Sequence, residues 1–108
     1  MDRRVDLTDA AFEDLERIAD FTLDRELARS NGDIALADRV VDAILVGLSR
    51  LGRASFTCRM GSDGLDPGLR EAVIEFGGTG FVALFKVLDE ERLRVLAIRH
   101  QREEGYKE

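Results

Sequence analysis

The stretch from residue 69 to residue 100 reads LREAVIEF-GGTG-FVALFKVLD-EE-RLRVLAIRH, and it decides the fold. Its apolar runs predict three strands, Leu69–Phe76, Phe81–Asp89 and Arg92–His100, because each run is rich in β-branched or aromatic residues and is bounded by turn residues. The connections are too short for a crossover, so neighbouring strands must be antiparallel. The last strand is apolar on both faces as far as Ile98, which is typical of a strand inside a covered sheet.

Two amphipathic segments precede these strands. Thr8 or Asp9 is expected to cap the first helix, Asp33 to begin the second, and Gly52 to end it. The predicted core-facing residues are Phe12, Leu15, Ile18, Ala19, Thr22 and Leu27 in the first helix, and Ile34, Ala37, Val41, Ile44, Leu48 and Leu51 in the second. The break at residues 30–32 predicts an antiparallel helical hairpin.

The whole chain, residues 1–108, is therefore predicted to be one α+β domain. It begins with a short N-terminal edge strand at residues 5–7, followed by the antiparallel two-helix hairpin, which packs on a three-stranded antiparallel meander. Residues 53–68 are expected to form a long connection.

The charge, the cysteine content and the lack of long apolar runs limit which kinds of function the chain can have. The net charge is −6, of which residues 1–53 carry −4, so any contact with nucleic acid should use the back half of the chain. The single Cys58 and the lack of metal-ligand spacing predict neither a metal nor a cofactor. No apolar run approaches the length of a membrane span and the N-terminus is charged, so we expect a cytoplasmic protein without a membrane partner.

The last strand runs directly into a polar cluster, RHQREEGY, at residues 99–106. Strict alternation along this strand predicts that Val95 shares a face with Arg99, and that Ile98 shares the other face with His100. The cluster gathers most of the chemically capable side chains at one end of the sheet, which is therefore the expected working surface.

The order of strand, two helices and three-stranded meander resembles the RelE/ParE toxin superfamily of type II toxin–antitoxin systems. The most specific segments are DPGLRE at residues 66–71 and VLAIRHQREEGY at residues 95–106. The second segment resembles the ParE branch, also described as plasmid stabilisation proteins. The segment FTCRMGS at residues 56–62 is similar to the family's loop before the sheet, but Thr57 stands where proline is common and Ser62 where arginine is common.

The resemblance implies a toxin that a cognate antitoxin neutralises within a hetero-oligomer. ParE-like members act on DNA gyrase, whereas RelE-like members cut messenger RNA on the ribosome. Three functions stay open: inhibition of DNA gyrase, a ribosome-dependent and metal-independent endoribonuclease, and a non-toxic module that only forms complexes. The acidic composition weakens electrostatic steering toward RNA and favours a protein target.

Five residues are predicted for the working surface. Arg70, Arg99 and Arg102 are candidates for target or phosphate binding, because guanidinium groups match phosphate oxygens; the alternative is that nearby glutamates neutralise them as surface pairs. His100 and Tyr106 are candidate proton-transfer groups only if the protein is a ribonuclease. Their alternatives are a strand-end histidine satisfied by hydrogen bonds and a frayed terminus.

A second candidate surface lies on the helical hairpin. Phe21, Leu23 and Leu45 fall outside the main apolar stripes, and exposed apolar residues of this kind suit an amphipathic partner helix from the antitoxin. The alternative is that they widen the face that packs on the sheet.

Overall fold

A computed structural model describes residues 3–54, 59–60 and 68–101, and it confirms the predicted α+β fold. The elements are β1 (Arg4–Leu7), α1 (Asp9–Leu27), α2 (Leu36–Ala54), β2 (Arg59–Met60), β3 (Leu69–Phe76), β4 (Thr79–Val87) and β5 (Arg92–His100). Both helices cover the same face of the sheet, and the sheet's other face, called here the outer face, points away from them.

The strands form one sheet in the order β1-β5-β4-β3-β2. The meander of β3, β4 and β5 is antiparallel, as predicted, and β1 lies at the edge, where it pairs with β5 in parallel. The first hairpin turns at Gly77, whose φ of +60° is the conformation that glycine adopts without strain. The short strand β2 lies in the segment that was predicted only as a connection, and it pairs with Arg70 and Glu71.

A β-bulge in β5 changes which side chains share a face. Val95 lies opposite Phe85 while Ala97 lies opposite Leu84, so Leu96 is an extra residue in the ladder. The prediction from strict alternation is therefore wrong for Val95. It faces the helices together with Ile98 and His100, whereas Arg99 lies on the outer face.

Three residues predicted to face the core are exposed instead. Phe12 is 54% exposed, Leu27 62% and Ile34 60%. The buried residues of α1 are Ala11, Leu15, Ile18, Thr22 and Glu26. At the two ends of the helix, Ala11 is therefore buried in place of Phe12, and Glu26 in place of Leu27. Ile34 is exposed because α2 begins only at Leu36.

The second helix packs through small residues as well as large ones. A Cβ on Gly47 would lie 2.8 Å from the side chain of Ile74, so this glycine lets α2 approach β3 closely. A Cβ on Gly52 would collide with the carbonyl oxygen of Arg3, whose N–H donates to the Gly52 carbonyl at 2.7 Å. Gly52 was predicted to end α2, but the helix continues to Ala54. The glycine instead leaves room for the chain that enters β1.

A buried carboxylate holds the turn between the helices. Glu26 is 3% exposed and accepts hydrogen bonds from the backbone N–H of Asp33 at 2.9 Å and from Arg29 at 3.1 Å. The Asp33 N–H is the main cause that lowers the pKa of Glu26, against the opposing effect of desolvation. Glu26 is thus buried at the end of α1, where sequence periodicity predicted that Leu27 would face the core.

Candidate functional site

His100 ends β5 with its ring held against the protein. Its Nε2 lies 3.0 Å from the Oγ1 of Thr79, and its ring meets Phe81 edge to face with the centroids 5.2 Å apart. These contacts match the alternative of a strand-end histidine satisfied by its neighbours.

Arg99 is tied to the first helix. Its Nη1 donates to the Oδ2 of Asp14 at 3.1 Å, and the same oxygen accepts the backbone N–H of Ile98 at 2.8 Å. The register shows why: β1 pairs with β5 only as far as Val95, so beyond that point Asp14 takes the place of a missing strand. Arg99 therefore stabilises the joint between α1 and β5.

Arg70 does not join this group. It lies opposite Phe85 on β4, whereas His100 lies opposite Phe81, so the two are separated by four residues along β4, about 13 Å, and by two strand spacings, about 10 Å. Arg99 also occupies an outer-face position in the register, from which its guanidinium reaches round the edge of β5 to Asp14, while Arg70 occupies a helix-side position. The structure therefore does not bring Arg70, Arg99 and His100 together at one surface. Arg102 and Tyr106 lie outside the described residues, and their roles stay predictions.

A recess of about 570 Å³ opens beside His100, between the two helices and the first hairpin. Phe21, one of the predicted antitoxin-binding residues, lies on its rim with 62% of its surface exposed. The guanidinium carbon of Arg25 lies 5.7 Å from the centre of the Phe21 ring, a cation–π contact. The exposed Phe21 ring thus has one polar neighbour at the rim, the guanidinium of Arg25.

A larger groove of about 1100 Å³ runs between α2 and β3. Val46 from the helix and Val73 from the strand line it, and they are 51% and 43% exposed. Because β2 pairs only with Arg70 and Glu71, the outer edge of β3 from Ala72 to Phe76 has no strand partner among the described residues. The groove thus combines open backbone hydrogen-bonding groups with exposed apolar side chains.

Neither of the other two predicted antitoxin-binding residues lines this groove. Leu45 is 43% exposed on α2, next to Val46, but it does not line the groove. Leu23 is half-buried on α1 and lines neither recess. Sequence reasoning missed Val46, although the core stripe of α2 passes through Ile44 and Leu48 and leaves both Leu45 and Val46 outside it.

Within residues 3–54, 59–60 and 68–101, no group of His, Cys, Asp or Glu side chains could hold a metal ion. The helices of the same segments include none that is long and apolar enough to cross a bilayer.

A model of the family described as "ParE toxin of type II toxin-antitoxin system, parDE" matches residues 5–105. The chain belongs to the ParE toxin family. A solved structure, the chromosomal ParDE toxin–antitoxin system from P. aeruginosa, matches with a TM-score of 0.62 and 20% sequence identity, over 91% of this chain and 95% of that chain. At this identity the match shows a shared fold. No curated protein gave a match.

Proposed function

We propose that this ParE-family chain is a toxin that inhibits a bacterial protein target, DNA gyrase, and that a cognate antitoxin neutralises it by occupying the groove between α2 and β3. Antitoxin binding in this groove is supported by the edge of β3 from Ala72 to Phe76, which has no strand partner among the described residues and lies beside the exposed Val46 and Val73. A peptide that adds a strand at such an edge gains backbone hydrogen bonds, and its alternate side chains can pack on the exposed valines.

The exposed apolar residues on the hairpin extend the same surface. Phe76 lines both the α2–β3 groove and the recess beside His100, so a bound segment can pass from one to the other. Phe21 lies on the rim of the second recess, and Leu45 lies next to Val46 on α2. A segment that wraps the helices after pairing with β3 would bury these side chains.

A protein target is favoured by charge and by the setting of His100. The net charge of −6 gives no long-range attraction toward a polyanionic ribosome. The imidazole already contacts Thr79 and packs against Phe81, an arrangement that explains its presence without proton transfer. DNA gyrase follows from the ParE branch of the family and not from a contact in this structure.

Controlled expression, alone and together with the neighbouring antitoxin gene, tests both parts of the proposal. Toxic cells that filament and induce the DNA-damage response are expected for a gyrase inhibitor, whereas rapid loss of intact messenger RNA would support the ribonuclease instead. Absence of toxicity in properly folded protein would favour the complex-forming module.

The groove is tested by Val46→Asp, which places a charge where an apolar contact is proposed. This variant is expected to remain toxic but to escape neutralisation. Phe12→Asp is the matched control, because Phe12 is 54% exposed on α1 and lines neither recess. If the antitoxin rescues both variants equally well, the groove is not its binding site.

A further inference from the structure

One face of α2 carries an acid, an apolar residue and a base at equal spacing. Asp42, Val46 and Arg50 follow each other at intervals of about one helical turn, so they lie on one side of the helix, and all three line the α2–β3 groove. All three are exposed, Val46 by 51%. These three residues are called here the α2 stripe.

The two charges of the α2 stripe are not used within the chain. Neither Asp42 nor Arg50 makes a side-chain hydrogen bond or an ion pair in the part of the chain that the structure describes. The neighbouring charges do not supply one: Arg39 donates to the Oδ2 of Asp33 at 2.6 Å, and Glu71, which lines the same groove, forms no ion pair with Arg50. A partner surface can therefore complete both ends of the stripe.

We propose that the α2 stripe is the interface of a homodimer, in which two copies of the chain pack their α2 helices antiparallel about a twofold axis at Val46. Reversing the direction of the stripe exchanges its acid and its base. The axis therefore places Val46 of each copy against Val46 of the other, and Asp42 of each copy opposite Arg50 of the other. Because a twofold interface uses every contact twice, two ion pairs flank one apolar contact.

The residues beside the α2 stripe permit this packing. Ala43 and Ser49 flank Val46 on the two sides of the helix face, and both are small, so the helix axes can approach closely. Leu45, which is 43% exposed, adds apolar surface at the margin of the contact. The interface thus has an apolar centre and a charged rim, as protein interfaces commonly do.

Two arginines on the same helix face lie farther from the proposed axis. Arg39 and Arg53 are each seven residues from Val46, about 10 Å along the helix, and helices that cross at about 20° or about 50° diverge with distance from the crossing point. Asp33 neutralises Arg39, and Arg53 makes a contact of its own within the chain. The opposite charges near the axis therefore outweigh the like charges at the ends.

A second copy fits the α2 stripe better than it fits the open edge of β3. Antiparallel pairing of that edge with itself, centred on Ile74, would set Val73 of each copy against Glu75 of the other. An apolar side chain would then face a carboxylate twice, whereas cross-strand pairs stabilise a sheet when their side chains match. The helix face, and not the strand edge, is complementary to itself.

The inference goes beyond the proposed function, because it concerns the chain in the absence of an antitoxin. A homodimer would cover Val46, so the second copy and the antitoxin would compete for one wall of the groove. The two proposals fail separately. A chain that stays monomeric while its Val46→Asp variant escapes neutralisation contradicts the dimer alone, and a dimeric chain whose Val46→Asp variant is neutralised normally contradicts the antitoxin groove alone.

Sedimentation equilibrium of the full-length chain without antitoxin tests the inference. Because the contact surface is small, the dimer should be weak, with a Kd on the order of 10 to 100 µM, and the Kd should rise with salt as the two ion pairs are screened. Arg50→Asp and Asp42→Arg each turn both ion pairs into like-charge contacts. Each variant should weaken the association by about tenfold or more.

Two rescue experiments separate a specific interface from a loss of folding. An equimolar mixture of Arg50→Asp and Asp42→Arg should form mixed dimers, because acid again faces base at both contacts, and the double variant should form dimers with itself for the same reason. Glu16→Arg is the control, since it reverses an exposed charge on α1 outside both recesses and should associate like the unchanged chain.

The inference is overturned if the unchanged chain stays monomeric at about 0.1 mM, a concentration above the expected Kd. It is also overturned if either single variant dimerises as well as the unchanged chain, or if Glu16→Arg weakens the association as much as they do. Folded single variants, verified by circular dichroism, whose mixture stays monomeric would equally exclude the Asp42–Arg50 contacts.

Discussion

The two ends of β5 carry similar side chains in opposite circumstances. At its C-terminal end, Arg99 pairs with Asp14 and His100 contacts Thr79, so each polar group meets a complementary partner. At its N-terminal end, Arg92 lies opposite Arg4, and Arg94 lies opposite Lys86. Residue type alone singles out the first end, with its histidine, whereas the cross-strand register singles out the second.

The comparison teaches that a cation indicates function when its neighbours fail to account for it. Asp14 accepts the N–H of Ile98 and pairs with both Arg99 and Arg17. These contacts stabilise the C-terminal end of β5 against α1, which explains Arg99 without a functional role. At the N-terminal end, Asp6 lies opposite Arg94 and pairs with Arg4, and Asp89 pairs with Arg92, so carboxylates also accompany the cations there. The following experiments measure how much the contacts at each end of β5 contribute to the fold.

The largest effect is expected for Asp14→Ala. It leaves the Ile98 N–H and the Arg99 guanidinium without their acceptor, and the free energy of unfolding should fall by about 2 kcal/mol. Asp14→Asn keeps one side-chain oxygen for the Ile98 N–H and should lose about half as much. Urea denaturation of both variants measures the difference.

Arg17→Gln is the control for this series, because it removes the exposed pair with Asp14, which should contribute less than about 1 kcal/mol, and leaves the acceptor of the Ile98 N–H in place. If Asp14→Ala proves no more destabilising than Arg17→Gln, Asp14 does not hold the C-terminal end of β5. Arg99 would then return as a candidate for target binding.

An intermediate effect is expected for Asp89→Asn at the other end. The backbone N–H of Glu91 is the main cause that lowers the pKa of Asp89 below its ordinary value of 3.8, with Arg92 contributing, so the carboxylate stabilises the fold above that pH. This stability is lost as pH falls through the lowered folded-state pKa. Asp89→Asn removes it at neutral pH and also exposes the charge of Arg92.

The Asp89→Asn variant should therefore unfold more easily in urea than the wild-type protein at neutral pH. Wild-type protein titrated toward about pH 3 should lose stability in the same direction, with Glu26 and Asp33 contributing because their pKa values are also lowered. An Asp89→Asn variant as stable as the wild-type protein at neutral pH would show that this carboxylate does not hold the turn before β5.

The sequence predicted the order of elements and the antiparallel meander because turn residues and apolar runs are local signals. It could not predict the bulge at Leu96, since one extra residue leaves the apolar pattern of β5 unchanged. The faces of Val95 and Arg99, and with them the candidate working surface, were therefore misassigned.

The sequence also gave no sign of the two like-charge pairs. Arg4 and Arg92 are 88 positions apart, and their pairing depends on the parallel register of β1 with β5. Apolar periodicity cannot predict that register. Glu26 was missed for a related reason: its burial depends on a hydrogen bond from Asp33 across the turn, which residue type does not reveal.

The smallest effect is expected for His100→Gln. The glutamine amide can still reach the hydroxyl of Thr79, and the loss of the edge-to-face contact with Phe81 should lower the free energy of unfolding by about 0.5–1 kcal/mol. Toxicity on controlled expression should stay at the wild-type level, because the structure assigns the ring to packing. A ribonuclease that uses His100 for proton transfer should instead lose about 10²-fold or more in activity. Loss of toxicity in a folded His100→Gln protein would therefore move the C-terminal end of β5 from the structural class to the functional one, and would revive the ribosome as the target.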